Sequence, residues 1–408
     1  MNKASLHVLA IEPYYGGSHR AFLDGVVRYS RHQWTRLTGP ARHWKWRMRV
    51  APLSLARQVI DRLDEFAQDG KLPDVVLCSE MLDLPQWRGF LLSQTQRLPR
   101  DDVKAAGILQ QIASLPTVCY FHENQWTYPV APQAREDAHY GYTNLLTALA
   151  ADEVWFNSDF HRREFLEAAR KFVARMPDDR AVHDLDRLAQ ISRVVPPGFE
   201  PVPVGDMTIN SKALKIGWVA RWEHDKRPDR FERLLEILDD QRLNFELILL
   251  GTRPRNAAAA LTRIEQRWSQ RIHFSGFAES AVAYHAYLRQ MDVVVSTADH
   301  EFFGIAICEA VSAGAIPVVP NALSYSELLP ASVRYESLQE AAQLVLRIGQ
   351  MSSGDRAKLR QRCRESIWPY RIEHGCRLID RYLSQLRSGE NDQRERGERN
   401  LGSGERVR

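Results

Sequence analysis

Residues 291–320 constrain the fold of this chain more than any other stretch, because they read as strand, polar loop, helix and second strand. Residues 291–296 and 315–319 are short β-branched runs of the kind found in buried parallel strands. Between them, Gly304 is placed to begin a helix and Gly314 to end it. The stretch therefore predicts an α/β fold with a parallel sheet.

Two carboxylates surround the loop-to-helix junction of this stretch. Glu301 lies just before the helix, and Glu309 lies within it, eight residues later. Backbone N–H groups of residues 302–304 would point from the helix N-terminus toward an anion, and a carboxylate there can accept hydrogen bonds from sugar or ribose hydroxyls. The pattern predicts a phosphate site with an acid on either side. The alternative is that Glu301 caps the helix and Glu309 is a solvated helix residue.

The length of 408 residues favours two domains of comparable size, because a single core rarely grows so large. Residues 1–199 contain one series of strands and helices, and a Pro-Pro-Gly turn ends it. We expect a linker over residues 200–211 and a second series from residue 212 onward. Residues 388–408 are rich in Gly, Arg and Glu, and we expect them to be a disordered tail.

The cysteines and the N-terminal residues indicate the cellular compartment of the protein. Five cysteines stand far apart without a Cys-x-x-Cys pair, which is typical of reduced core thiols rather than disulfides or a zinc site. Glu12 interrupts the N-terminal apolar run, so we expect neither a signal peptide nor a membrane span. These features predict a cytoplasmic protein without stable membrane insertion. They do not indicate its oligomeric state.

The formal charge of +4 is concentrated in one segment, since no Asp or Glu occurs between Asp24 and Asp61. Basic and aromatic residues alternate at its centre, in Trp44, Lys45, Trp46, Arg47 and Arg49. Such residues can pair with phosphates and stack on bases, which predicts binding to nucleic acid. The alternative is a solvated basic face with the tryptophans turned into the core.

Polar loops follow two predicted strands of the first half. Gly16 and Gly17 come after the first strand, where a Gly-Gly turn allows close backbone approach to a phosphate or sugar, although it also makes plain tight turns. His122, Glu123 and Asn124 follow the strand over residues 117–121. A lone histidine is more often structural than catalytic, but several hydrogen-bonding side chains at the carboxyl end of a strand favour a functional loop.

Two cations follow the first strand of the second half. Arg221 and Lys226 flank a short turn after residues 215–219, on the same side of a parallel sheet as the Glu301 loop. They are suited to bind a diphosphate. The alternative is a surface ion pair with Glu223 or Asp225.

Taken together, these segments resemble the retaining, glycogen-synthase-like glycosyltransferases of the GT-B fold. The resemblance implies two Rossmann-like domains that face each other across a cleft, residues 1–199 for the acceptor and 212–366 for the nucleotide sugar. It also implies that a C-terminal helix, residues 367–387, returns to the first domain. The implied donor contacts are Gly16, Gly17, Arg221, Lys226, Phe303, Gly304 and Glu309, with Glu301 on the donor sugar.

Longer blocks of the first half resemble the tRNA-queuosine α-mannosyltransferase family. They are residues 12–19, 44–49, 120–125 with Tyr128 and Pro129, 140–142 with Asn144, and 156–158. This resemblance implies transfer of mannose from GDP-mannose to the cyclopentenediol of queuosine in the anticodon loop of an aspartate tRNA. The implied catalytic residues are His122 and Glu301, and the implied acceptor contacts are Trp44, Lys45, Trp46, Arg47, Arg49, Glu123 and Asn124.

No metal or other cofactor is expected to be required, because fixed cations and a helix N-terminus can neutralise a leaving diphosphate. Two alternatives stay open. One is a glycosyltransferase of the same fold that uses another nucleotide sugar on a lipid or small glycan. The other is a non-catalytic protein that binds nucleotide sugars or RNA.

Overall fold

The computed structural model describes residues 5–68, 71–99, 101–129, 137–178, 182–204, 213–253 and 259–389. These residues form two compact units. The first unit contains the residues up to Tyr128, those from 137 to Pro196, and the chain from Ile372 onward. The second contains the residues from Pro197 to Arg371. The expected tail falls outside the described residues from residue 390 on, and so does most of the expected linker.

The first unit is built on a six-stranded parallel sheet with the order β2-β1-β3-β4-β5-β6. Its strands are β1 His7–Tyr15, β2 Gln33–Pro40, β3 Val75–Ser79, β4 Thr117–Phe121, β5 Glu153–Phe156 and β6 Ser192–Val194. Its helices are α1 Gly17–Tyr29, α2 Trp44–Ile60, α3 Leu63–Phe66, α4 Leu84–Thr95, α5 Val103–Ala113, α6 Ala138–Ala150, α7 Asp159–Val173, α8 Val182–Gln190 and, from the C-terminal part, α16 Ile372–Ser388.

The second unit has a six-stranded parallel sheet with the order β12-β11-β10-β7-β8-β9. Its strands are β7 Leu214–Val219, β8 Phe245–Leu250, β9 Ile272–Gly276, β10 Val293–Val295, β11 Ile316–Pro320 and β12 Arg334–Tyr335. Its helices are α9 Pro228–Asp240, α10 Ala259–Arg267, α11 Ala281–Leu288, α12 Ile305–Ala313, α13 Tyr325–Leu328, α14 Leu338–Gln350 and α15 Ser353–Ile367. Both units are thus Rossmann-like, which confirms the predicted α/β class.

Each sheet has one place where the strand order reverses. In the first unit this place lies between β1 and β3, and in the second between β7 and β10. Ligands of open parallel sheets bind at the carboxyl ends of the strands at such a reversal, because the connections leave there on opposite faces. The two sheets therefore point to the ends of β1 and β3, and of β7 and β10, as the places to search for chemistry.

The sheets are buried because their strands are continuous apolar runs. Residues of β3, β4 and β5 are buried at every position, as expected for strands covered on both faces. All five cysteines are free and buried, which confirms their reading as core thiols. Tryptophans mainly fill the cores: Trp87, Trp155, Trp218 and Trp222 are fully buried.

Asp102 separates the two helices between β3 and β4, since it caps α5 by accepting a hydrogen bond from the Ala105 amide. Helix α1 begins at Gly17, the second glycine of the first loop. No helix of the described residues combines the length and hydrophobicity needed to cross a membrane.

Helix α16 is fixed to the first unit by a buried carboxylate. Asp380 accepts hydrogen bonds from Ser30 Oγ at 2.5 Å and from the Arg31 amide at 3.0 Å, and its carbonyl contacts His32 Nε2 at 3.1 Å. Apolar residues of the helix, among them Ile379 and Leu383, join the core on one face of the sheet. The expected return of the C-terminal helix to the first unit is confirmed.

Replacing Asp380 should destabilise the first unit. Asp380→Ala leaves the Ser30 hydroxyl and the Arg31 amide without their acceptor, so we expect a loss of about 2–3 kcal/mol in the free energy of unfolding. Urea unfolding followed by tryptophan fluorescence measures it. Arg381→Ala, on the exposed face of the same helix, should change stability by less than about 0.5 kcal/mol. Equal effects of the two substitutions would contradict the role of the carboxylate.

Candidate active site

The loop between β10 and α12 depends on Gly304. This residue is the N-cap of α12 with φ of +96°, a left-handed conformation that glycine adopts readily. A Cβ there would come within 3.0 Å of the Tyr325 ring. Ser324 Oγ donates to the carbonyl oxygens of Glu301 and Phe303 at 3.1 and 2.9 Å. The backbone that precedes the helix is therefore held in one conformation.

The amides at this helix N-terminus are not the ones predicted. The first helical residue is Ile305, so the first-turn N–H groups belong to Ile305 and Ala306 rather than to residues 302–304. The Phe303 side chain is buried and packs in the core, with its ring 5.8 Å from that of Tyr370. Any contact of Phe303 with a ligand would thus be made by its backbone.

Lys226 lies beside Glu301 at the strand reversal of the second unit. Its Nζ is 3.2 Å from Glu301 Oε2, 3.2 Å from Asp225 Oδ2 and 2.8 Å from the His300 carbonyl oxygen. Burial by itself lowers the pKa of Lys226, but the carboxylates of Glu301 and Asp225 outweigh this effect and the pKa lies above its usual value. The ammonium group therefore stays charged at neutral pH.

The alternative interpretation of the two cations is also partly realised. Arg221 forms an ion pair with Glu223 at 3.6 Å, and more than half of its side chain is exposed. Lys226 pairs with Asp225, but it also reaches Glu301, 75 residues away in the sequence. A pocket next to this pair is lined by Trp218, Ala220, Lys226, Thr297, Glu301, Gly304 and Ala306, among others. The structure thus brings Lys226, Glu301 and Gly304 together.

Glu309 is half-buried on α12, where the Tyr284 hydroxyl of α11 donates to its Oε2 at 2.7 Å. Burial raises the pKa of Glu309 to about 7, although the Tyr284 hydrogen bond acts in the opposite direction. Glu309 is therefore not the fully solvated helix residue of the alternative interpretation. Tyr284 was not singled out from the sequence.

The strand reversal of the first unit holds a cluster of buried polar groups. His19 Nδ1 is 3.1 Å from Glu12 Oε2, and His19 Nε2 is 3.9 Å from Glu80 Oε1. The His122 ring lies against His19, with ring centroids 4.0 Å apart. Glu80 accepts hydrogen bonds from the His122 and Glu123 amides at 3.1 and 3.3 Å. The cluster therefore fixes both the backbone and the ring of His122.

The protonation states in this cluster follow from its charges. Burial lowers the pKa of His19, but Glu12, Glu80 and Glu123 outweigh it and raise the pKa to about 9. Burial also raises the pKa of Glu80 to about 8, although the charge on His19 acts in the opposite direction. Burial holds the pKa of His122 well below its usual value, and the charge on His19 adds to this effect. At neutral pH, His19 is thus an imidazolium ion and His122 a neutral imidazole.

Glu12, His19 and His122 place potential ligand atoms within 4.8 Å of one another, a spacing that a metal ion could occupy. The rings of His19 and His122 overlap at 4.0 Å with 34° between their planes. Two imidazoles that bind one metal instead direct a nitrogen each to a common point about 2 Å away. The ion pair of Glu12 with His19 accounts for the geometry better, and the expectation that no metal is required stays a prediction.

The other residues of the His122 loop stabilise its shape. Asn124 is fully buried and uses its side chain within the loop, accepting from the Trp126 and Thr127 amides at 3.2 and 3.0 Å. The predicted contact of Asn124 with an acceptor therefore conflicts with its burial. Glu123 is partly exposed and accepts a hydrogen bond from Gln125 Nε2 at 3.0 Å.

The two glycines of the first loop have different constraints. A Cβ on Gly16 would lie 2.2 Å from Ala41 Cβ, so this glycine is required by close packing. Gly17 has φ of +54° and open space around it, so a side chain there would be strained rather than crowded. The loop is therefore open at Gly17.

The basic segment forms the first turns of α2. Trp46 is 59% exposed, and Lys45 and Arg49 are exposed one turn apart. Arg49 lies over the Tyr140 ring at 4.8 Å, and Trp44 packs on the same ring at 5.1 Å. Arg47 is half-buried. The exposed residues Lys45, Trp46 and Arg49 thus present two cations and an indole to solvent, while Trp44 follows the alternative reading and packs inward.

Sequence reasoning missed Glu12, His19, Glu80 and Tyr284. The first two lie in the block of residues 12–19. A carboxylate near the end of β1 followed by a histidine at the start of α1 was an available signal. Glu80 directly follows β3, which also borders the strand reversal. The burial and the neighbouring charges that shift the pKa values of His19, Glu80 and Tyr284 have no signature in the sequence.

Comparison with known families assigns both halves of the chain. Residues 7–100 and 102–199 match the family "tRNA-queuosine alpha-mannosyltransferase N-terminal", and residues 205–367 match "Glycosyl transferases group 1". The tRNA-queuosine alpha-mannosyltransferase of Drosophila melanogaster is 30% identical over 348 residues, which are 83% of this chain and 85% of that protein.

Solved structures support the fold. The catalytic domain of starch synthase IV from Arabidopsis thaliana aligns with a TM-score of 0.65 and 12% identity, over 94% of this chain and 100% of that one. Anabaena Alr3699/HepE, solved with UDP and glucose, aligns with a TM-score of 0.60 and 16% identity, over 93% and 100% of the two chains. These structures show that the fold is GT-B. The match to "Glycosyl transferases group 1" and the Drosophila relative show that the protein is a glycosyltransferase. On these grounds the chain belongs to the tRNA-queuosine alpha-mannosyltransferase family.

Proposed function

We propose that this protein transfers mannose from GDP-mannose to the cyclopentenediol of queuosine in the anticodon loop of an aspartate tRNA, with retention at the anomeric carbon. The observation that carries the proposal is the arrangement of Lys226, Glu301 and Gly304 at the strand reversal of the second unit. The identity shared with the Drosophila enzyme, which extends through both halves, supports the choice of mannose and of queuosine.

The second unit would bind the donor. Lys226 and Arg221 bind the diphosphate in this proposal, helped by the N-terminus of α12, and Glu309 binds the ribose. Lys226 Nζ donates hydrogen bonds to Glu301 Oε2 and to the His300 carbonyl oxygen, whereas Asp225 Oδ2 lies 3.2 Å away as an ion-pair partner without a hydrogen bond. An ammonium group has three N–H donors, so one remains for a diphosphate oxygen. Glu301 is the more exposed of the two carboxylates, at 26% against 1% for Asp225, so it is the one accessible to the sugar hydroxyls.

The transfer step needs no covalent enzyme intermediate. The acceptor oxygen forms a bond to the anomeric carbon on the face from which the diphosphate leaves, and the bond from this carbon to the phosphate oxygen breaks. The departing phosphate oxygen takes the proton of the acceptor hydroxyl. Lys226 and the helix N-terminus stabilise the charge that develops on the phosphate. His122, as a neutral imidazole, binds the sugar 6-hydroxyl or stabilises the positive charge at the anomeric carbon.

The first unit would bind the tRNA through α2. The exposed cations Lys45 and Arg49 pair with backbone phosphates in this proposal, and Trp46 stacks on an unpaired base. Arg47 is half-buried and contributes less.

The overall reaction is tested with labelled GDP-mannose and two tRNA preparations, one with queuosine and one with guanosine at the modified position. Label should enter only the first. UDP-glucose and UDP-galactose serve as competing donors, and liposomes with anionic lipid serve as a competing acceptor. Binding of UDP-sugars alone, or label in lipid instead of tRNA, would overturn the proposed donor or acceptor.

Neutralising Glu301 should impair turnover more than nucleotide binding. Glu301→Gln keeps the shape of the side chain but loses the negative charge. This charge pairs with Lys226 and strengthens the hydrogen bonds that the carboxylate accepts from the sugar hydroxyls. We expect kcat to fall about a hundredfold or more, while GDP binds within about threefold of the wild type. Steady-state kinetics and calorimetry measure these quantities. Asp240→Asn, an exposed change at the end of α9, should behave as the wild type. Unchanged kcat in Glu301→Gln would remove Glu301 from the chemistry.

Removing the His122 imidazole should abolish transfer without unfolding the protein. His122→Ala deletes a ring that contacts His19, Phe22 and Tyr120, so a small decrease in melting temperature is expected. Mannose transfer should fall at least about a hundredfold, with GDP affinity retained. Wild-type turnover in this variant would exclude His122 from the mechanism.

Removing the exposed cations of α2 should weaken tRNA binding and its dependence on salt. For Lys45→Gln combined with Arg49→Gln, the slope of log K against log salt should decrease by about 1.5, since each lost phosphate contact contributes about 0.7–0.9. A tRNA shift assay at several salt concentrations measures it. The control is Arg97→Gln combined with Lys104→Gln, two exposed cations elsewhere in the same unit. Equal slopes in both double variants would place the tRNA elsewhere.

A further inference from the structure

The contact between Tyr284 and Glu309 joins two helices beside the proposed donor site. Tyr284 lies on α11 and Glu309 on α12, and the phenol oxygen is 2.7 Å from Glu309 Oε2. A carboxylate has two oxygen atoms and about four acceptor positions. This bond therefore uses one oxygen and leaves Oε1 able to accept from a ligand.

The direction of this hydrogen bond is defined. Burial and the neighbouring carboxylate of Glu309 raise the pKa of Tyr284 well above its usual value, so the phenol keeps its proton. Tyr284 is therefore the donor, and Glu309 the acceptor. A donor held on one side restricts the rotation of the carboxylate, because turning it would break a bond to a charged group.

We propose that Tyr284 is a positioning residue for the nucleotide ribose, because its hydroxyl holds Oε2 of Glu309 and thereby directs Oε1 toward a ribose hydroxyl. The inference rests on the donor site of the proposed function and assigns it a group from a second helix. It makes Tyr284 a determinant of discrimination between ribonucleotides and deoxyribonucleotides. A site that binds a hydroxyl through a fixed acceptor loses affinity for analogues that lack it.

The protonation of Glu309 gives this role a dependence on pH. Groups that face its carboxylate are Tyr284 on α11 and Glu200 in the segment before β7, and the Cys308 thiol next to it on α12 is kept neutral by burial. With the pKa of Glu309 at about 7, the carboxylate is increasingly protonated as the pH falls below 7. Ribonucleotide affinity should thus decrease in mildly acidic solution. The Tyr284 hydrogen bond lowers the pKa of Glu309. Its loss therefore raises this pKa and moves the decrease in ribonucleotide affinity to higher pH.

The test measures binding of nucleoside diphosphates by calorimetry with the full chain. The probes are the diphosphate that the wild type binds, GDP or UDP, and its 2′-deoxy and 3′-deoxy forms. Tyr284→Phe removes only the hydroxyl. It should weaken the ribonucleotide about tenfold at pH 7.5 and more at pH 6.5. Affinity for the deoxy form that lacks the contacted hydroxyl should be the same in the variant and the wild type.

Two controls separate positioning from packing. Tyr287→Phe removes a hydroxyl from the same helix, where the ring stacks on Phe274 at 4.0 Å, and should leave all affinities unchanged. On a Glu309→Gln background, Tyr284→Phe should have little further effect, because both changes remove the same interaction.

The outcomes distinguish this inference from the proposed function. If the wild type binds neither GDP nor UDP, both are overturned. If Tyr284→Phe binds the ribonucleotide as tightly as the wild type, or weakens ribo and deoxy forms equally, only the positioning role is overturned.

Discussion

The site of the second unit depends on one buried ammonium group. Lys226 is surrounded by two carboxylates and a carbonyl oxygen, and any of these groups alone would be costly to bury. The positive charge offsets the desolvation cost of burying Asp225 and of placing Glu301 toward the interior. It also ties the turn after β7 to the loop after β10, which are the two connections at the strand reversal. Charge pairing and sheet topology thus both indicate the strand reversal between β7 and β10 as the site.

In the first unit, buried acidic side chains are also stabilised by a buried cation, here the imidazolium ion of His19. Glu12 and Glu80 are both buried at the ends of β1 and β3, and the imidazolium of His19 lies between them. Burial lowers the pKa of the neighbouring His122, and the same positive charge adds to this effect. The His19 ion therefore pairs with the buried Glu12 carboxylate and helps to keep neutral the ring proposed to face the sugar.

The parallel sheets and the polar strand ends were predictable from the sequence, because β-branched runs and glycine positions are local signals. Glu301 and Lys226 were each identified, but their ion pair was not, since 75 residues separate them and only the adjacency of β7 and β10 brings them together. Asn124 was expected to contact the acceptor, whereas its side chain completes the hydrogen bonds of the loop itself. Burial decides between these roles, and it depends on contacts distant in sequence.

The position of α16 has a consequence for biosynthesis. The core that this helix completes also contains Val8, Val26 and Val75, which are synthesised early, whereas Ile372 emerges only after the whole second unit. On the ribosome, the second unit can fold from a continuous segment while one apolar face of the first sheet is covered only in part, by α1. A nascent chain that pauses before residue 372 therefore displays a hydrophobic surface of the kind that chaperones bind. The first unit, although translated first, can complete its core only after α16 has been synthesised.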